Sequence, residues 1–364
     1  MDIRIDKIIM EEGADDYRQA AAILERLDKN IPIIRVEADR SRQSLNGSSM
    51  GKGILQLLPF HGALFKPCPG TKGYICCGYQ ILNIGTNCPL DCSYCILQSY
   101  FNQPYLRIFV NLERELDRIG QLIDSNPEKI FRIGTGEFTD SLALDEAAGW
   151  SEILPRFFEG RKNAVLELKT KTDCIDGLLL SPHRDRIIVS WSLNGPEIVS
   201  KEEHGAPSLR KRLLAAKKCQ EAGYIVGFHF DPLILQSNWK AEYMRTLEML
   251  DQYVDPKGII WISLGCLRYM PSLKHIIRKR HPKTHILDGE FIRGLDGKMR
   301  YFKPIRIDMY SFFREHIESW SGNSCLYLCM ESDEVWTKSL GWSPRDSKGL
   351  SAFLDKRTMT MFNN

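Results

Sequence analysis

Three cysteines fall close together in Cys88-Pro-Leu-Asp-Cys92-Ser-Tyr94-Cys95, a Cx3CxxC spacing. Three thiolates on one loop can hold three corners of a [4Fe–4S] cluster and leave the fourth iron open to a substrate or cofactor. S-adenosylmethionine can chelate such an iron through its amino and carboxylate groups, and one electron then releases a 5′-deoxyadenosyl radical. A structural zinc asks for four ligands, usually in two pairs, and three cysteines with unequal gaps fit it less well.

Composition bounds the rest. The chain has 364 residues, 43% hydrophobic and 26% charged, which is ordinary for a globular protein. A net charge of +3 means that any nucleic-acid surface has to be a local patch. No apolar run approaches the length of a membrane span, and the opening residues lack the apolar core of a secretory signal. A cytoplasmic protein with no membrane partner is therefore expected, in a compartment that keeps thiols reduced. Eleven cysteines, six of them between Cys68 and Cys95, then point to ligation more than to disulfides.

The elements that must position this loop are legible as a rhythm. Apolar runs at 80–85, 130–134, 165–168, 187–193, 224–230 and 259–264 alternate with amphipathic stretches near 111–125, 141–158, 173–181, 208–222 and 240–253. Six strands alternating with helices predict an α/β fold with a parallel sheet, either open or a partial barrel. The ends of the second and fourth runs carry polar residues, Thr135 and Glu137, and Ser192 and Asn194, where parallel α/β folds build their sites. Upstream, residues 14–28 read as an amphipathic helix, 31–36 as a strand and 39–53 as a polar loop. Gly47-Ser-Ser-Met-Gly51-Lys52 in that loop misses a phosphate loop by one glycine spacing, and Gly53 replaces the Ser or Thr. Leu295-Asp296-Gly297-Lys298 predicts a hairpin turn between 290–293 and 299–305.

The cysteine loop, with Ile96, Leu97 and Gln98 after it, resembles the cluster loop of the radical S-adenosylmethionine enzymes, and of the spore photoproduct lyase family in particular. Thr170-Lys171, Ile175-Asp176, Ser190-Trp-Ser192-Leu-Asn194, Glu203, Gly205, Leu209, Arg212, Ala215, Ala216 and Ala222-Gly223-Tyr224 continue the resemblance over roughly residues 80–270. It implies a partial (β/α)6 TIM-type barrel at 79–270, an N-terminal extension at 1–78 and a C-terminal cap with a basic hairpin at 271–364. It implies that Gly134, Gly136 and Glu137 receive the methionine amino group, Lys171 and Ser192 its carboxylate and Asn194 the ribose. It also implies a catalytic Tyr94 and a low-potential reductant such as a flavodoxin or ferredoxin.

The family repairs a methyl-bridged thymine dimer in DNA, with a cysteine returning a hydrogen atom through tyrosines. This chain departs from that pattern. Glu137-Phe138-Thr139-Asp140 stands where the donor cysteine is expected, and Ile96 where a second tyrosine is. Cys68, Cys76, Cys77, Cys266, Cys325 and Cys329 remain as substitute donors, as ligands of a second cluster, or as ordinary buried thiols. Residues 274–285 are strongly basic, and Lys298, Arg300 and Tyr301 on the hairpin are candidates for contact with damaged DNA. His229 and Asp231 end the fifth run, as substrate contacts or as packing. Three readings follow: a lyase-like enzyme on thymine-dimer-type lesions, a radical enzyme on RNA, a peptide or a metabolite, and a non-catalytic iron–sulfur or nucleic-acid-binding protein.

Overall fold

A computed structural model describes residues 3–37, 51–101, 103–320 and 325–363. The loop expected at 39–53 lies outside them apart from the short turn Gly51–Gly53. Among the described residues no helix is long and apolar enough to cross a membrane.

The chain forms two compact units that interleave along the sequence. Residues 68–79 and 90–99 belong with the second unit because backbone bonds tie them there. Ile75 N–H donates to Glu331 C=O at 2.8 Å, and Asp91–Cys92 pairs antiparallel with Glu203–His204.

The first unit comprises Met1–Pro67, Gln80–Pro89 and Tyr100–Ile187. It carries the strands β1 (Gln80–Leu82), β2 (Phe131–Gly134) and β3 (Ala164–Thr170), which pair in parallel in that order. Phe65–Pro67 pairs antiparallel on the outer side of β1. A separate five-stranded sheet joins Ile33–Val36, Lys7–Glu11, Ile54–Leu58, Leu106–Phe109 and Gly85–Thr86, mostly in parallel. The helix Leu112–Asp124 turns Leu116, Ile119 and Ile123 inward at the spacing its periodicity predicts. The stretch 141–158 is two helices, Asp145–Ala148 and Trp150–Phe158, because Gly149 at φ +68° ends the first.

The second unit holds β4 (Ile187–Ser192), which enters it at Ile188, then β5 (Ile225–Leu233), β6 (Ile259–Cys266) and β7 (Leu326–Leu328). All four run parallel, with Ser192, His229, Ser263 and Tyr327 in register across them. Their burial is nearly continuous, as expected of strands covered on both faces. The helix Leu209–Glu221 is capped by Ser208, whose hydroxyl accepts from Lys211 N–H at 3.5 Å, and the chain leaves it through Gly223 at φ +94°.

Candidate functional site

The cluster loop begins in the first unit. Asn87, at φ +66°, takes a left-handed conformation that asparagine tolerates, and its amide donates to Gln103 C=O at 2.9 Å and Tyr105 C=O at 2.7 Å. That fixes the direction in which the chain reaches Cys88.

The rest of the loop is braced within the second unit. Cys95 N–H donates to Cys92 C=O at 3.1 Å, and Ser93 N–H to Glu202 C=O at 2.8 Å. The Gln98 amide donates to Cys92 C=O at 3.3 Å and Ser93 C=O at 2.8 Å, and Arg280 donates at 2.6 Å to both Gln98 Oε1 and Asp91 Oδ1. Tyr94 is buried and its hydroxyl donates to Glu203. Burial, and then the Glu203 charge, hold that phenol well above its ordinary range. Glu203 lies 2.5 Å from Arg212, which also donates to Ser192 C=O at 3.0 Å and Pro207 C=O at 3.0 Å. One buried ion pair thus ties the end of β4 to the cysteine loop. Neither Glu203 nor Arg212 has a sequence signal of its own for this role, since each finds its partners only in three dimensions.

None of the eleven cysteines is in a disulfide; Cys92 is buried, while Cys88 and Cys95 are half-buried. Among the described residues no three His, Cys, Asp or Glu side chains converge as ligands of a single metal ion. A four-iron cube does not need them to, because each thiolate takes its own iron. The donor set, three thiols on a short braced loop, therefore fits a [4Fe–4S] cluster with one open corner.

In the first unit the turn after β2 is organised by a carboxylate. Asp140 Oδ1 accepts from Leu142 N–H, Ala143 N–H and the Thr170 hydroxyl at 2.7–3.0 Å, and Oδ2 accepts from Lys171 N–H at 2.8 Å. Thr135 donates to Ser141 Oγ at 2.7 Å, Ser141 N–H donates to Lys169 C=O at 3.1 Å, and Lys169 N–H donates to Ser141 Oγ at 3.0 Å. A Cβ on Gly136 would stand 2.9 Å from Lys169 Cβ, so this glycine is required for close strand packing. Gly134, Gly136, Glu137 and Lys171 are thereby gathered at the ends of β2 and β3. The segment Glu137-Phe138-Thr139-Asp140, where the resemblance implies a donor cysteine, thus carries instead an aspartate committed to the backbone and to Thr170.

Asn194, expected at the ribose, is engaged within the protein. It is 1% exposed, donates to Pro232 C=O at 2.9 Å and accepts from the Tyr243 hydroxyl at 2.7 Å, so it braces the end of β4 against β5. The hairpin also departs from expectation. It forms, with Phe291–Arg293 antiparallel to Met299–Tyr301, but Arg300 and Tyr301 point inward. Asp296 in the turn supplies a counter-charge, bonding Arg300 at 2.6 Å, while the guanidinium lies 4.0 Å from the Tyr74 ring. Tyr301 stacks on Phe291 at 4.7 Å and its oxygen accepts from Leu235 N–H. Lys298 donates to Thr71 Oγ1 at 3.1 Å, and burial lowers its pKa. Arg300 and Tyr301, expected as DNA contacts, are thus buried and engaged with neighbours in this structure. The exposed cations are Arg278, Lys279 and Lys283 on the basic stretch. Lys283 also lines an open cleft of about 1430 Å³ with Lys201, His204, Arg280 and His281.

Two deeply buried thiols lie outside this machinery. Burial pushes Cys219 and Cys266 up to about 12 from 9.0. A thiol with a raised folded pKa keeps its proton in the native state while the unfolded chain loses it. The stabilisation is complete below pH 9 and is lost as pH rises from 9 towards 12. Urea midpoints should fall over that window, and Cys219→Ala/Cys266→Ala should flatten the fall.

Comparison with known proteins bears on the whole chain. The family model described as spore photoproduct lyase matches residues 76–308. A protein named spore photoproduct lyase from Clostridium acetobutylicum is 25% identical over 307 residues, covering 82% of this chain and 89% of its own. Another of that name from Bacillus subtilis is 29% identical over 240 residues, covering 65% and 70%. Among solved structures, a spore photoproduct lyase variant with bound AdoMet and dinucleoside spore photoproduct superposes at TM-score 0.80, with 22% identity, over 89% of this chain and 98% of the other. A variant with the dinucleoside lesion superposes at 0.81 over 90% and 100%. The α/β partial-barrel expectation is met by that likeness, and by its family match the chain belongs to the spore photoproduct lyase family.

Proposed function

We propose that this protein is a radical S-adenosylmethionine enzyme that repairs spore-photoproduct-type thymine lesions in DNA. The observation that carries this reading is the family match over residues 76–308 together with the cysteine triplet inside it. When bound, a reduced [4Fe–4S] cluster and S-adenosylmethionine supply the 5′-deoxyadenosyl radical that abstracts hydrogen from the lesion.

The chain's own residues bind and orient. Cys88, Cys92 and Cys95 are the cluster ligands. Gly134, Gly136 and Glu137 receive the methionine ammonium, the carboxylate offering an ionic partner. Lys171 and Ser192 receive the methionine carboxylate. Tyr94 holds the loop through Glu203 and keeps its hydroxyl proton. Arg278, Lys279 and Lys283 offer exposed charge to DNA phosphates, a contact that weakens as salt rises. The reductant is a low-potential one-electron carrier such as a flavodoxin or ferredoxin, and the setting is cytoplasmic.

The test is anaerobic. The reconstituted protein is given S-adenosylmethionine, dithionite and DNA carrying spore photoproduct. Restored thymine together with 5′-deoxyadenosine is expected. 5′-Deoxyadenosine without restored thymine would reassign the chain to another substrate.

A further inference from the structure

We propose that Cys329 is the thiol that donates a hydrogen atom to the substrate radical, in place of the cysteine that this chain lacks after β2. The inference rests on the repair reading above.

Position is the first argument. Cys329 follows β7, and its N–H donates to Leu264 C=O in β6 at 2.8 Å. Ser192, His229, Ser263 and Tyr327 form one register row across β4–β7, and Cys329 is two residues beyond Tyr327. Residues two apart along an extended chain share a face, and the Cys329 N–H bond to Leu264 C=O carries the ladder past Leu328, so Cys329 falls on the side of the sheet that Tyr327 takes, one step further toward the C-terminal strand ends, where parallel α/β barrels do their chemistry.

The surroundings are the second argument. Arg268 lies with Nη2 3.6 Å from Cys329 Sγ, and both its terminal nitrogens bond Asp231 at 2.9 and 3.0 Å. Gly265 leaves room for this pair, because a Cβ there would stand 2.7 Å from both partners. Arg268 Nε meets Met330 Sδ at 3.4 Å, which accepts from the Thr71 hydroxyl at 3.0 Å, and Thr71 N–H donates to Cys76 Sγ at 3.2 Å. Cys329 thus stands in a connected group of sulfur and polar side chains, beside a half-buried ion pair and itself partly open to solvent. A hydrogen-atom donor must carry S–H, not S⁻. Burial, offset by Arg268 and reinforced by Asp231, Cys77 and Cys76, holds the thiol well above its ordinary value.

The step balances. The Cys329 S–H bond breaks homolytically and a C–H bond forms on the thymine-derived radical, leaving a thiyl. One electron from the low-potential carrier that also charges the cluster, and one proton from solvent, restore the thiol. S-adenosylmethionine is then consumed once per lesion.

The test uses the full chain in D2O with dinucleoside spore photoproduct. Wild type is expected to give thymine carrying one deuterium. Cys329→Ser should still form 5′-deoxyadenosine, showing that fold and radical generation survive, while thymine per 5′-deoxyadenosine drops at least about tenfold. A second readout needs no cluster. In cluster-free protein the dinucleoside should slow alkylation of Cys329, read by peptide mass. Deuterated thymine at wild-type yield from Cys329→Ser, or no protection, overturns the assignment. Iron above four per chain that falls on Cys329→Ser would make these thiols cluster ligands and also overturn it. Absence of thymine from the wild type would sink the repair reading and the donor with it, whereas labelled repair persisting in the variant sinks the donor alone.

Discussion

Cys92→Ala is expected to abolish the four-iron absorbance and the cleavage of S-adenosylmethionine together, with 5′-deoxyadenosine falling at least about 100-fold. A cube held by three thiolates has no spare ligand, so removing one releases the cluster or leaves it unable to present its open iron. The fold should survive. Cys92 is held by its backbone pairing with Glu203 and by the Gln98 amide on its carbonyl, neither of which needs the sulfur. Far-UV circular dichroism should therefore match wild type. Cys174→Ala, altering a half-buried thiol outside the triplet, should keep the absorbance. Full activity in Cys92→Ala would remove the cluster assignment.

Arg212→Ala should be the most damaging single change to stability, costing about 3–5 kcal/mol. Arg212 is 0% exposed and Glu203 2%, so the deletion strands a carboxylate in the interior. It also removes the donor to Ser192 C=O and Pro207 C=O. Urea denaturation measures the loss as a lower midpoint at unchanged slope. The same variant should reconstitute iron poorly, because the brace on the loop goes with it. A loss under 1 kcal/mol would mean that water reaches Glu203 and that the pair does not hold the loop. Arg212→Lys should recover only part of the stability, since an ammonium cannot serve the three acceptors that the guanidinium spans.

The six buried strands were legible from sequence because strands covered on both faces are short continuous apolar runs. Each of the six expected runs contains or overlaps an observed strand, from Gln80–Leu82 to Ile259–Cys266. The cysteine triplet was legible for a similar reason, since its members are neighbours in the chain. The strand Leu326–Leu328 was not, because three residues give no periodicity to read. The same holds for the sheet built on Lys7–Glu11, Ile54–Leu58 and Leu106–Phe109, whose pairing is decided by contacts far apart in sequence.

Charge misled where its partner was distant or hidden. Arg300 and Lys298 read as a basic surface, but Asp296, Thr71 and Tyr74 take them inward. Asn194 read as a ligand contact, and the fold adds Tyr243 and Pro232 as partners of its amide. Cys329 read as one of several leftover thiols, and only the register of β6 and β7 carries it to the strand ends beside Arg268 and Asp231. Sequence by itself determined the cysteine triplet and the strand rhythm, because both are written in adjacent residues. Tertiary structure alone decided which polar side chains face the site and which are consumed in holding it, because a buried charge or amide must find its partner wherever the fold brings one.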